Sequence, residues 1–241
     1  MAESRTLWIS RDRVIFLAGA TAVSGVACLY LAKMARGHAH GPADFGIAFV
    51  MWTIMMIAMM LPSTLPFVWA FGGEHRRRQE HNLPYVSAAV FLAGYFALWT
   101  GFSAFAAALQ QALHDTAMLS ARMSAASSVF AGAILLAAGI YQWTPFKEAC
   151  LRHCRSPLSF LLSDWREGSW GAFRMGVDHG LFCLGCCWLL MLLPFAGGVM
   201  NLAWMAAITG FILIEKAVPG GPWFGKVAGA ALAFAGIWMM V

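Results

Sequence analysis

From Val86 to Leu109 the chain runs through alanine, phenylalanine, leucine and glycine without one charged residue. A run of that length is long enough to cross the hydrocarbon core of a bilayer, and lipid is the solvent that suits it. It is not alone. Cutting the sequence where charges and turn residues gather leaves seven apolar segments, near residues 14–34, 45–71, 83–109, 125–143, 172–200, 202–218 and 223–240. Each reaches about 17 residues, the lower limit for a spanning helix. With 61% hydrophobic and only 11% charged residues, the chain lacks the polar surface of a soluble domain. The sequence therefore predicts an all-α, polytopic membrane helix bundle of about seven transmembrane helices, with residues 1–241 forming a single integral membrane domain. Pro62, Pro66 and Pro194 fall inside two of these segments, where kinks are expected.

Charge placement orients the bundle. If the N-terminus is cytoplasmic, all of the 16 basic residues except Lys33, Arg36 and Arg122 lie in cytoplasmic segments, the pattern of the positive-inside rule. The expected address is a bacterial inner membrane. The same bias accounts for the net charge of +5, and no interleaving of basic and aromatic residues suggests nucleic-acid binding. The longest hydrophilic stretch runs only from about Thr144 to Gly171, so any chemistry must sit in or against the membrane. No residue pattern marks a catalytic centre, and no phosphate-binding loop offers ATP as an energy source.

The second segment carries an unusual density of sulfur. Met51, Met55, Met56, Met59 and Met60 are five of the chain's 15 methionines. On a helix Met51, Met55 and Met59 share one face and Met56 and Met60 form a row beside it, a ladder of thioethers about 12 Å long. Thioether sulfur binds Cu(I) without losing a proton or burying a charge. Methionine also fills irregular gaps between packed helices, and each one taken singly reads that way.

The fifth segment adds the other soft donors. His179, Cys183, Cys187 and Met191 recur every four residues, with Cys186 beside them, so imidazole, thiol and thioether would share one stripe. Gly176, Gly180 and Gly185 clear space for a neighbouring helix or a metal. Asp178 reads either as a partner that orients His179 or as a charge facing the headgroups. At 1.5 Å per residue Met59 and Cys183 both fall near the middle of the bilayer, and they can form one site if their helices face each other.

Before that helix, the hydrophilic stretch holds Cys150, His153 and Cys154, a candidate point for receiving a soft metal from a cytosolic donor or releasing it to one. Lys147, Arg152 and Arg155 nearby are expected to favour the thiolate forms. His38, His40 and Asp44 form a polar loop beside the second segment, Cys28 reads as a packing residue, and Glu215 and Lys216 read as a pair at the cytoplasmic boundary.

Several motifs in order along the chain bear a resemblance to a known family. They are Trp52-x-x-Met55-x-x-x-Met59-Met60-x-Pro62-Ser63, Lys147-x-x-Cys150-x-x-x-Cys154-Arg155-x-Pro157, Gly185-Cys186-Cys187-Trp188 and Met200-Asn201-x-x-Trp204-Met205 followed by Glu215-Lys216. Together they resemble a bacterial family of predicted metal-binding integral membrane proteins, sometimes labelled copper chaperones, over most of the chain from the second segment to the sixth. The resemblance implies a metal role.

Two functions of different kind follow. One is a copper-handling membrane protein that binds Cu(I) through methionine, cysteine and histidine, for transport or for delivery to a partner protein or membrane enzyme complex. The other is a membrane thiol-disulfide oxidoreductase using Cys183 and Cys186 as its redox pair, which leaves the methionine ladder without a purpose. A non-catalytic subunit of a membrane enzyme complex is a third.

Overall fold

A computed structural model describes residues 45–80, 88–120, 124–157, 159–160 and 165–241, with positions 25 and 29 besides. The first apolar segment, with Cys28, and the loop with His38, His40 and Asp44 lie outside the described residues. What is described is helical: α1 (Phe45–Glu80), α2 (Ala88–Asp115), α3 (Ser128–Tyr141), α4 (Pro145–Arg155), α5 (Gly168–Cys187), α6 (Pro194–Gly197), α7 (Leu202–Ala217) and α8 (Gly221–Met240). Among the described residues there is no strand, only an isolated bridge between Leu119 and Ala125.

Three helices are long and apolar enough to cross a membrane unaided: α1 over Phe45–Phe71, α2 and α8. The number rises to five if α3 with α4, bent by 67°, and α5 with the Leu190–Gly197 stretch, bent by 71°, each count as one crossing. The sixth expected span is α7, whose 16 residues extend about 24 Å, short of a core about 30 Å thick.

Local chemistry explains the bends. Thr144 caps α4 by accepting from the Lys147 amide, and Pro145 occupies its first turn, where a missing N–H costs nothing. α5 ends at Cys187, and Pro194 opens α6 in its first turn, where a missing N–H costs nothing. A short 3-10 turn, Leu190–Leu192, bridges the gap. Met191 is consequently off the helix that carries Cys183 and Cys187, a correction to the expected single stripe, although it remains buried in the core.

Glycines set how closely the helices meet. A Cβ at Gly94 would overlap the Phe173 carbonyl, and one at Gly176 the Phe91 carbonyl, so α2 and α5 touch backbone to backbone. Gly132 and Gly139 of α3 meet Gly236 and Gly229 of α8 in the same way. α2 thus packs between α1 and α5, α4 lies along α5, and α7 closes against α1, α4 and α8.

α4 is the largest departure from the expected hydrophilic loop. Its buried residues, Lys147, Cys150, Leu151 and Cys154, recur at helical spacing and turn one face into the bundle.

Candidate metal centre

The five methionines of α1 are all buried, and they share one core with Cys150 and Cys154 of α4, with Cys183, Cys186 and Cys187 of α5, and with Met191. Trp52, between the first two rungs of the ladder, donates its indole N–H to Gln110 of α2 at 2.8 Å and packs on Phe195. The ladder is held against the bundle in this way, with its sulfur turned from lipid.

The thiols meet across helices. Cys186 Sγ lies 3.8 Å from Cys154 Sγ, joining α5 to α4. Gly185 allows this approach, since a Cβ there would sit 2.7 Å from Cys150 Sγ. Within α5 the Cys186 and Cys187 thiols donate to the Cys183 carbonyl at 3.1 and 2.8 Å. A thiol on another helix, Cys154, thus faces Cys186, and the Cys183 thiol neighbours both. All five described cysteines are free.

Cys183 has further company. Tyr95 Oη is 3.1 Å from its sulfur, and the Lys216 ammonium is 3.0 Å away on another side. The same ammonium lies 3.3 Å from Ser63 Oγ, three residues beyond Met60. Lys216 thereby connects the methionine helix to the cysteine helix, a role the sequence reading did not assign. Glu215 turns instead to Lys147, 2.7 Å away, with both side chains nearly sealed from solvent at 3% and 2% exposure. Gln142 also accepts from Lys147, and the Arg155 guanidinium caps the carbonyls of Glu215, Val218 and Pro219. The expected Glu215–Lys216 pair is corrected: adjacent residues on a helix point about 100° apart, and each found a partner on a different neighbour.

This also corrects the picture of basic groups poised over the α4 thiols. Lys147 and Arg155 are committed to α7, and Arg152 is exposed. The signal for Lys216 was present in the sequence, as an ionisable residue near the end of an apolar run.

Neither histidine joins the sulfur. His179 is buried, with its ring stacked 3.7 Å from Phe67 and flanked by Phe91, Tyr95 and Phe160. Its Nδ1 has no hydrogen-bond partner among the described residues. His153 is exposed, donates its Nδ1–H to the Ala149 carbonyl, and stacks flat on Phe182 at 4.2 Å. Asp178 pairs with Arg166 at 3.2 Å, so it does not orient His179. The Asn201 and Trp204 motif is architectural: Asn201 caps α7 by accepting from the Trp204 amide, and the Trp204 indole donates to the Leu193 carbonyl beside Pro194.

An all-helical bundle with apolar helices fit to cross a membrane and a sealed core of thioether and thiol is, as a class, a membrane-compatible protein built around sulfur. A family model described as PpoB2, copper chaperone, matches residues 49–239, and the chain belongs to that family. No curated protein and no solved structure matches it.

The donor set suits a soft ion of low coordination number. Among the described residues no three His, Cys, Asp or Glu side chains gather as a metal cluster. Cys154 and Cys186, with their sulfurs 3.8 Å apart, are near enough to share one ion.

Proposed function

We propose that this copper chaperone works inside the membrane, taking Cu(I) as cargo on the sulfur atoms of its core and passing it on by ligand exchange to a partner protein or membrane enzyme complex. Cys154 and Cys186 form the entry pair at the α4 end; Cys183, Cys187, Met191 and the ladder Met51, Met55, Met56, Met59 and Met60 supply further donors. Cys150 and His153 lie on α4 near the entry, with His179 behind Cys183. Around this core the chain makes seven crossings of a bacterial inner membrane with its N-terminus in the cytoplasm.

The observation that carries the reading is that the buried methionines of α1 and the buried cysteines of α4 and α5 belong to one core. Packing alone explains one buried methionine or cysteine; it does not explain why three helices turn so much of their sulfur into the same core. Soft thiolate and thioether ligands select Cu(I), and neutral thioethers allow an ion to move through an apolar interior without meeting a full charge at each step.

The test is copper content. Full-length protein purified under reducing conditions is expected to retain Cu(I), and two variants are expected to lose it: one with Cys183→Ser, Cys186→Ser and Cys187→Ser, the other with Met55→Leu and Met59→Leu. Copper absent from the wild type, with Cys154 and Cys186 instead trapped in a mixed disulfide with another protein, would sink the copper reading and favour thiol exchange.

A further inference from the structure

The Lys216 ammonium is buried against Cys183 and Ser63 while part of its stem reaches the surface. A buried ammonium is costly unless an opposite charge accompanies it. Among the described residues no carboxylate forms an ion pair with it: Glu215 lies against Lys147, Glu148 against Lys226 and Asp178 against Arg166. The countercharge available to Lys216 is sulfur.

That arrangement has a consequence for the charge of the cargo. Thiols bind metal as thiolates, so an ion held by Cys183 and one neighbouring cysteine brings two negative charges into the core, one of them on the sulfur that faces Lys216. With Lys216 present, a monovalent ion brings the sum to zero, whereas a divalent ion leaves one positive charge uncompensated in an apolar interior. Without Lys216 the balance reverses: the monovalent complex is left negative and the divalent complex is neutral.

Resting on the reading that this core binds Cu(I), we propose that Lys216 is a fixed countercharge that makes the sulfur core select a soft monovalent cation over a soft divalent one. It acts through charge and is a specificity-determining residue, not a ligand. Thiol chemistry alone supplies little such discrimination, because soft divalent ions also prefer sulfur.

The experiment is a competition between Ag(I) and Cd(II) for full-length protein in detergent, with both metals counted in the protein fraction by mass spectrometry. Wild type is expected to retain Ag(I) over Cd(II). Lys216→Met is expected to shift the Ag(I)-to-Cd(II) occupancy ratio at least about tenfold toward Cd(II), and Lys216→Arg to restore it to within about threefold of wild type. Lys216→Gln serves as the neutral variant if Lys216→Met does not fold, with the same shift expected. A structural role would lower the uptake of both metals together and leave their ratio alone. An unchanged ratio in the neutral variant overturns this proposal while leaving copper binding intact. Failure of the wild type to hold Ag(I) or Cu(I) at all overturns the copper reading, and this proposal with it.

Discussion

At the scale of single residues, the buried charges of α4 and α7 are matched to each other. Lys147 and Glu215 are nearly sealed from solvent and 2.7 Å apart, and removing one strands the other. Lys147→Met is expected to cost about 3–5 kcal/mol, the price of an uncompensated buried charge, and the double variant Lys147→Met with Glu215→Leu to recover most of it. Detergent-induced unfolding followed by tryptophan fluorescence reads both; a single variant within about 1 kcal/mol of wild type would show that the pair is solvated in practice. Sequence spacing named the methionines and cysteines, because a helical period and an excess of one residue type are visible in one dimension. It could not name Ser63 and Tyr95 as neighbours of Cys183 and its lysine, since a hydroxyl in an apolar helix has no pattern until the opposite helix is in place.

Among elements, glycine decides the geometry of the sulfur core. The α2–α5 seam is closed by Gly94 and Gly176, and Tyr95 reaches Cys183 across it. Gly176→Ala forces a Cβ into the Phe91 carbonyl, which cannot rotate aside as a side chain would. A loss of about 1–3 kcal/mol is expected, together with lower copper retention as α5 moves off α2. Gly210 of α7 has open space around its Cα, so Gly210→Ala is expected to be neutral or stabilising by up to about 1 kcal/mol. Thermal unfolding of the two variants side by side makes the comparison; equal stability would mean that the seam is slack. α4 shows where pattern reading stopped short. Its polar composition suggested a loop, yet Lys147, Cys150, Leu151 and Cys154 fall on one face, and the bend after Tyr141 turns that face inward.

For the whole molecule, topology is the open structural question with a direct answer. In the proposed orientation Asp115, at the end of α2, lies outside and Ser169, at the start of α5, lies inside. Asp115→Cys in intact cells is expected to react with a membrane-impermeant maleimide and Ser169→Cys only after lysis; the opposite pattern would invert the bundle. Hydropathy and helical period are local properties, so one dimension was enough to show helices apolar enough for lipid and to name the residues with soft donors. Which donors meet was settled by packing. Three-dimensional packing paired Cys186 with Cys154, surrounded His179 with aromatic rings, and sent Glu215 and Lys216 to different partners. The physical reason is that contacts between helices depend on where small residues let backbones touch and where a proline opens a new helix, and both act across distances that no local pattern spans.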